Sequence, residues 1–150
     1  MYVVDKLNLK IIEVPENYYE CSVCHEWLPE SEFMDEGAKG RTRPNCSACY
    51  NMGFDGMRAL SKKNEDFINK HTCAIADLKD KIEFIDGAYT KSQLRERFEK
   101  LLAKLDDKGL YGCQASLGSE YEAVDYSLDD LLYAIESQMV DYSTQIEKKA

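Results

Sequence analysis

The chain has 150 residues and a mass of 17.2 kDa, enough for one ordinary domain or for a small metal-stabilised module joined to a modest helical one. A composition that is 44% hydrophobic and 31% charged is globular and argues against a largely disordered chain. The net charge of −9 disfavours strong, sequence-independent binding to phosphate backbones unless a local basic patch overrides it. The charge is unevenly spread, with −4 on residues 1–60, +1 on residues 61–110 and −6 on residues 111–150.

The N-terminal segment is expected to be one β-strand and to carry no targeting signal. Leu7, Leu9 and Ile11 alternate with polar residues, as in a strand with one buried face, and Pro15 ends the run. The apolar run is too short and too often interrupted by charge for a signal peptide or a membrane span. A cytoplasmic location is therefore expected, where thiols stay reduced and paired cysteines are metal ligands rather than disulfides.

The strand and the cysteine-rich segment after it form the first predicted domain, residues 1–60. Residues 61–150 are predicted to be an acidic helical domain. Its first helix spans residues 61–86 and is capped by Gly87. Apolar residues recur along it at alternating spacings of three and four, as in a heptad repeat. We call this stripe the seam; it consists of Ile68, His71, Ile75, Leu78, Ile82 and Ile85.

Two further helices complete a predicted three-helix region. Thr90 and Gln93 predict a capping box at the start of the second helix, whose apolar stripe holds Leu94, Phe98, Leu101, Leu102 and Leu105. After a short apolar piece and a loop containing Gly and Ser, Ser127 begins the third helix. Its stripe holds Leu128, Leu131, Leu132, Ile135 and Met139. The predicted fold class is therefore mainly α, with an N-terminal β-strand and a small zinc-ribbon or zinc-knuckle module.

Four of the six cysteines form two CxxC pairs with twenty-one residues between them. A CxxC turn lets two thiolates converge on one ion while backbone amides stabilise the charge on sulfur. Two such turns fill a tetrahedral shell and leave no position for water, so we expect one structural Zn²⁺. Without it, residues 19–52 are expected to be disordered. The predicted ligands are Cys21, Cys24, Cys46 and Cys49.

The remaining two cysteines are assigned no function. Cys73 lies within the first predicted helix and Cys113 lies within an apolar segment. A cysteine in such a setting is ordinarily a small buried hydrophobic residue.

The segments CSVCHEWLPESEF and GRTRPNCSACYN resemble the zinc-binding part of phage recombination endonuclease VII-like and related HNH proteins. The resemblance covers residues 19–52 only. It implies that the four cysteines of the CxxC pairs are zinc ligands, that Pro29 and Phe33 pack the module, and that residues 37–44 turn the chain back. It also implies a phage or mobile-element origin, with the host cytoplasm as the location.

The catalytic part of that resemblance is missing. Those nucleases need a histidine general base, usually beside an aspartate, and Asn or His ligands for a catalytic divalent ion. The two histidines here, His25 and His71, do not sit in an Asp-His pair. His25 follows a predicted ligand and is interpreted as a solvated or supporting residue, and His71 belongs to the seam. We therefore predict that the chain is not an enzyme, although a nuclease with a carboxylate-based metal site stays an alternative.

Two non-catalytic functions follow from these features. In the first, the zinc module is a rigid platform and the acidic helices dock on a host protein, for example one whose basic surface normally holds nucleic acid. In the second, the chain binds nucleic acid through basic residues of the zinc loop and the second helix. These are Lys39, Arg41 and Arg43, joined by Arg97, Lys100, Lys104 and Lys108. Both basic patches are small and lie among carboxylates, so protein binding ranks first.

The seam is a candidate partner surface, although cover by the other helices of the same chain is the favoured interpretation. It could be covered by the two other helices, or it could pair with a second chain or a host protein. If it is internal, Leu78→Asp should unfold the chain, because an unpaired buried carboxylate is costly. If it is an interface, the same variant should stay folded and lose its partner.

Overall fold

The computed structural model describes residues 1–34, 43–113, 115–119 and 122–149. The described chain is mainly helical, with strands near its N-terminus, a cluster of four cysteines and several helices, which confirms the predicted fold class. It divides into two compact units: unit 1 comprises Met1–Ala88 and Tyr142–Ala150, and unit 2 comprises Tyr89–Asp141. The division that the sequence predicts, after residue 60, falls inside a helix of unit 1.

The secondary-structure elements alternate along the chain. The helices are α1 (Ser47–Asn51), α2 (Gly53–Lys70), α3 (Thr72–Asp86), α4 (Lys91–Leu102) and α5 (Leu128–Gln138). The strands are β1 (Tyr2–Asp5), β2 (Lys10–Glu13), β3 (Tyr18–Glu20), β4 (Trp27–Pro29), β5 (Ala115–Ser119), β6 (Glu122–Tyr126) and β7 (Ile146–Lys148). In the described part of the chain, no helix combines the length and the apolar character needed to cross a membrane.

The N-terminal segment is a hairpin, so the prediction of a single strand is wrong. β1 pairs antiparallel with β2, with Val4 opposite Ile11. Asp5 ends β1, and its carboxylate accepts hydrogen bonds from the backbone N–H and the side-chain amide of Asn8, at 3.2 and 2.9 Å. Such a contact stabilises a turn, and it competes with continued strand pairing. The alternating leucines that suggested one strand lie in this turn.

Unit 1 is built around a three-stranded sheet with β2 in the centre, antiparallel to β1 and parallel to β7. Consecutive residues are buried in both hairpin strands, Val3 with Val4 and Ile11 with Ile12. Because neighbouring side chains of a strand point to opposite faces, both faces of this sheet are covered. Tyr18 and Trp27 pack on the cluster formed by Val3, Ile12 and Val14, and α3 lies against β1 and β2.

The predicted helix over residues 61–86 is also wrong in one respect, because α2 ends at Lys70 and α3 begins at Thr72. His71 separates them with φ −117° and ψ 24°, outside the helical region. Its ring stacks on Phe67 at 4.2 Å, and its Nδ1 lies 2.8 Å from the Phe67 carbonyl oxygen. Thr72 donates its hydroxyl to carbonyls of the preceding turn. Side-chain bonds of this kind compete with the helical ladder, whereas the apolar spacing runs through the break unchanged.

The seam is therefore divided between two helices. Ile75 and Ile85 are the buried residues of α3, and they lie in the helix that packs against the sheet of unit 1. The other four seam residues are half-buried. The apolar face of α3 is thus covered within unit 1. Strands β1 and β2 contribute to that cover, whereas the three-helix prediction assigned it to the two other helices.

Unit 2 begins with the predicted capping box. The Thr90 hydroxyl accepts from the Gln93 backbone N–H at 3.2 Å, and the Gln93 side chain accepts from the Thr90 N–H at 2.9 Å. Ser127 caps α5 in the same reciprocal way with Asp130. Both predicted helix starts are confirmed. Between the helices, β5 and β6 form an antiparallel pair where the sequence predicted a loop, with Gly118 opposite Ala123.

Candidate metal centre

Two local structures bring the four cysteines of the CxxC pairs together. Cys21 directly follows β3 and Cys24 lies in the turn that leads to β4, which pairs antiparallel with β3. The turn is closed by hydrogen bonds from the Cys21 N–H to Glu26 and from the His25 N–H to Cys21, at 2.9 and 3.0 Å. The second pair is at the start of α1, where Cys46 is the N-cap residue and Cys49 is the third residue of the helix.

The sulfur atoms form a compact cluster. Cys21 Sγ lies 3.8 Å from Cys49 Sγ, and Cys24 Sγ lies 3.9 Å from Cys46 Sγ. All four sulfurs are within 4.8 Å of one another. A tetrahedral zinc with Zn–S bonds of about 2.3 Å would place its sulfurs about 3.8 Å apart. The four cysteines could therefore hold one metal ion, and their spacing and their all-sulfur donor set fit zinc.

The cluster is buried, and the pKa values of Cys21, Cys24 and Cys49 are shifted in different directions. Cys21, Cys46 and Cys49 are buried and Cys24 is half-buried. Burial raises the pKa of Cys24 to about 12, and it also raises the pKa of Cys49. Burial also raises the pKa of Cys21, but hydrogen bonds from backbone N–H groups outweigh this effect and lower the pKa to about 7. Two of these donors are the backbone nitrogens of Cys46 and Val23, which lie 3.3 and 3.4 Å from Cys21 Sγ. Such amides stabilise a thiolate, the form in which sulfur binds a metal.

Apolar residues close the space around the sulfurs. Val23 and Phe33 are buried with the cysteines, and Leu28, Met57 and Leu60 pack against the cluster. Phe33 thus packs the module as the resemblance implies, whereas Pro29 is half-buried in β4. This shell keeps water from the cluster on the sides that it covers.

His25 occupies a strained position in the first CxxC turn. Its φ is +56°, in the left-handed region that costs a non-glycine residue roughly 1–2 kcal/mol. Its Nδ1 lies 2.8 Å from Glu20 Oε1, and Glu20 also pairs with Lys6 at 2.7 Å. These contacts hold the half-buried ring beside the first CxxC turn, so His25 is not a freely solvated residue, and its supporting role for the ligands stays a prediction.

The predicted basic loop is only partly described. Lys39 and Arg41 lie outside the described residues. Arg43 is engaged within the module: its guanidinium donates to the Met34 carbonyl and the Ser47 hydroxyl, both at 3.2 Å, and stacks 4.1 Å from the Tyr50 ring centre. It joins the end of the first half of the module to α1, and these contacts occupy the group that was predicted to face nucleic acid.

The second predicted basic patch lies in unit 2. Arg97 and Lys100 are exposed on α4, and Lys104 and Lys108 are exposed in the segment after it. Lys100 pairs with Glu96 at 2.8 Å. The four residues therefore remain accessible cations, one of them balanced by a neighbouring carboxylate.

Asn64 is a structural residue that the sequence did not reveal. It is the one buried polar residue among those whose side chains are described, with 6% exposure. Its side-chain amide donates to the Val23 carbonyl at 2.8 Å, which fastens α2 to the first CxxC turn. A single Asn in the polar run SKKNED carries no pattern that would distinguish it from its neighbours.

The two remaining cysteines differ from expectation. Cys73 is exposed, so its interpretation as a buried hydrophobic residue is wrong, and Cys113 is half-buried. Cys73 is the second residue of α3 and points away from the face that holds Ile75. Helical periodicity could have placed it on the outer face, because it lies two positions from a seam residue.

The site belongs to the class of four-cysteine clusters that could bind one metal ion. No family model, curated protein or solved structure matches this chain.

Proposed function

We propose that this chain is a small non-enzymatic zinc-binding protein that acts by binding another protein. The observation that carries the proposal is the exposure of two apolar stripes in unit 2. α4 and α5 contain no buried residue, and Leu102 and Met139 are 64% and 65% exposed. We call these two sets of apolar residues the α4 stripe (Leu94, Phe98, Leu101, Leu102) and the α5 stripe (Leu128, Leu131, Leu132, Ile135, Met139). Contiguous apolar surface of this kind marks interaction sites.

In this proposal the metal is one structural Zn²⁺. Four thiolates complete its shell and leave no position for substrate, so the ion stabilises the platform and takes no part in a reaction. A four-thiolate zinc supplies folding free energy to segments that bury little apolar surface of their own.

The proposed target is a host protein with a basic surface, such as one that handles nucleic acid. The net charge of −9, with three acidic residues and no basic residue on α5, supports this choice because complementary charge selects partners. The phage or mobile-element setting rests on the resemblance of residues 19–52 to endonuclease VII-like zinc modules.

A pair of variants of α5 tests the protein-binding proposal. Ile135→Asp places a charge within the α5 stripe, and Ser137→Asp places the same charge on the opposite side of the helix. Capture of a bacterial protein by the tagged chain should fall at least about tenfold for Ile135→Asp and stay unchanged for Ser137→Asp, because only the first buries a charge in the contact. Equal capture by both variants would contradict the assignment of the α5 stripe.

The absence of nuclease activity is tested separately. Duplex, single-stranded and branched DNA are expected to survive incubation with the zinc-loaded protein in magnesium or manganese. Cleavage that copurifies with the chain and disappears on substitution of a carboxylate would support the nuclease alternative instead.

Nucleic-acid binding is the second candidate, favoured by a groove beside α2. The groove has a volume of about 640 Å³ and lies between the hairpin turn and the helix. Three lysines line it, together with an aromatic ring and one carboxylate; these are Lys62, Lys63, Lys70, Phe67 and Asp66. Cations next to an aromatic ring suit a single strand, whose phosphates and bases they contact.

Charge reversal in the groove tests this second candidate. Lys63→Glu with Lys70→Glu should abolish salt-dependent retention of single-stranded DNA, whereas Lys79→Glu with Lys81→Glu on α3 should leave it unchanged. Fluorescence anisotropy at two salt concentrations measures this. If the wild-type chain binds no DNA at low salt, or both double variants bind equally, the groove is not a nucleic-acid site.

A further inference from the structure

A small cavity of unit 1 lies between the N-terminal hairpin and the first CxxC turn. Its volume is about 170 Å³. The hairpin contributes Asp5 and Asn8 to its lining, the CxxC turn contributes His25 and Glu26, and β4 contributes Trp27. Sites for whole small molecules usually have volumes of about 300–1,000 Å³. This cavity is smaller, so it suits a single side chain or functional group.

His25 brings an unused hydrogen-bonding atom to this cavity. Its Nδ1 lies 2.8 Å from Glu20 Oε1. Because an ionised carboxylate can only accept, Nδ1 carries the proton, and Nε2 of the neutral ring is an acceptor. Nε2 is buried and has no hydrogen-bond partner among the described residues. A buried acceptor without a partner is costly, so a ligand that donates a hydrogen bond would stabilise this turn.

Carboxylates outnumber cations among the residues that line the cavity. Asp5 and Glu26 are acidic, and Lys149 is basic. Asp5 accepts two hydrogen bonds from Asn8, and an ionised carboxylate has about four acceptor positions, so it can accept more. Glu26 is in no ion pair with a described residue. The cavity therefore favours a ligand that is both a cation and a hydrogen-bond donor.

Trp27 narrows the choice to an organic cation. Its ring lines the cavity, and its Nε1–H donates to the Val4 carbonyl at 3.4 Å. Indole rings attract ammonium groups and pack well on alkyl chains. A metal ion is a poorer occupant, because only the four clustered cysteines, among the described residues, bring ligand atoms close enough together to hold one.

We infer that this cavity binds a primary ammonium group. Asp5 and Glu26 balance its charge, His25 Nε2 accepts one of its hydrogen bonds, and the Trp27 ring packs on its alkyl chain. A lysine side chain of a basic partner protein carries this group, and so does a free alkylamine. The lysine source deepens the proposed function and rests on it, whereas the site itself does not.

Tryptophan fluorescence tests the inference with the full-length zinc-loaded chain, because the single tryptophan lines the cavity. At neutral pH and constant ionic strength, n-butylamine should change the emission saturably. The uncharged n-butanol, which has the same alkyl chain, should not. No saturable change with n-butylamine, or an equal change with n-butanol, would overturn the inference.

A second probe distinguishes the two sources of the ammonium group. It is a glycine peptide with one central lysine, acetylated at its N-terminus and amidated at its C-terminus so that the lysine carries its only charge. Tighter binding of this peptide than of n-butylamine would assign the cavity to a lysine of a partner protein. Equal or weaker binding would assign it to free amines, and the ammonium site stands in both cases.

Two double variants test the carboxylates. Asp5→Asn with Glu26→Gln should weaken n-butylamine binding at least about tenfold, because it removes both negative charges of the lining. Asp55→Asn with Glu30→Gln makes the same chemical changes at exposed positions outside the cavity and should leave the affinity unchanged. Lys149→Met removes the competing cation and should tighten binding. Equal affinities of the two double variants would overturn the inference.

His25→Asn tests the acceptor. Asparagine tolerates a positive φ better than most residues, so the turn is preserved while Nε2 is lost. Binding of n-butylamine should weaken about fivefold or more, as expected for loss of a hydrogen bond to a charged group. Zinc content, measured on every variant, shows whether the metal centre is intact. A zinc-loaded His25→Asn chain with wild-type affinity would overturn the assignment.

The α5 variant separates this inference from the proposed function. Ile135→Asp should leave n-butylamine binding unchanged, because α5 contributes no residue to the cavity. If no amine binds while Ile135→Asp still abolishes capture of a host protein, the cavity inference is wrong and the proposed function stands. If amine binds while capture ignores Ile135→Asp, the cavity stands and the assignment of the α5 stripe is wrong.

Discussion

Unit 1 and unit 2 differ in where their apolar residues lie. Among the residues whose side chains are described, every buried hydrophobic residue belongs to unit 1, at the sheet, on α3 or around the four thiols. The helices of unit 2 bury none. A small unit with little buried apolar surface needs another source of stability, and the proposals above supply a metal for unit 1 and a partner surface for unit 2. The two units therefore illustrate two ways in which a short chain can compensate for a small core.

Removal of the metal should produce the largest difference between the units. A strong chelator is expected to abolish amide protection in β3, β4 and α1, because a structural zinc contributes roughly 10–16 kcal/mol to modules of this kind. Protection in α4 and α5 should change little, because these helices contain none of the four clustered cysteines. Hydrogen exchange followed by mass spectrometry measures both regions at once.

Re-addition of zinc is the control for that experiment and should restore the original exchange pattern. Acidification should act in the same direction as the chelator. Cys24 and Cys49 have raised pKa values and must release protons on binding, so falling pH favours their protonated form and weakens the metal complex. Protection of β3 and β4 that survives chelation would show that unit 1 does not need the ion.

A matched pair of truncations sharpens the comparison further. Ile75→Ala removes a buried side chain that is 5% exposed and should cost about 2–5 kcal/mol of unfolding free energy. Leu101→Ala removes a side chain that is 54% exposed and should change unit 1 by no more than about 0.5 kcal/mol. The single tryptophan, Trp27, packs in unit 1, so its fluorescence during denaturation reports the first unit alone. Equal effects of both variants would contradict the assignment of the buried core to unit 1 alone.

Asn64 offers a smaller test of how α2 is held to the metal centre. Asn64→Ala removes the donor to the buried Val23 carbonyl and should cost about 1–3 kcal/mol. Asn69→Ala, an exposed position near the end of the same helix, makes the same chemical change without a buried partner and serves as the control. The free zinc concentration must be equal in both denaturation series, because bound metal shifts the apparent stability. Equal losses for the two variants would remove the anchoring role of Asn64.

The smallest predicted effect concerns the strained turn. His25→Gly and His25→Ala both remove the contact with Glu20, but only glycine adopts a φ of +56° without cost. The glycine variant should therefore be more stable than the alanine variant by about 1 kcal/mol. Chemical denaturation at fixed zinc measures the difference, and an alanine variant as stable as the glycine variant would show that the turn is not strained.

The features that could be predicted from sequence are those with a short-range cause. The CxxC spacing places two sulfurs on one turn, so the cluster followed from the sequence. The capping boxes at Thr90 and Ser127 likewise depend on residues three positions apart. In each case the physical cause lies within a few residues of its effect.

The features that were missed depend on contacts between distant segments. β7 pairs with β2 across most of the length of the chain, and the short sequence IEK has no pattern that identifies its partner. The break at His71 was hidden because an apolar repeat of three and four continues through it. Asn64 is buried only because α2 lies on the first CxxC turn. Tertiary packing decided each of these, and local propensity did not.

Metal stoichiometry tests the central claim most directly, because that claim makes the fold of unit 1 and the proposed function depend on a bound zinc ion. Elemental analysis of protein purified without chelator should give one zinc per chain, bound by the four clustered cysteines. Cys46→Ser should lose that zinc, whereas Cys73→Ser, which changes an exposed cysteine outside the cluster, should retain it. A wild-type chain without zinc, or a Cys46→Ser variant that keeps its full content, would contradict the account.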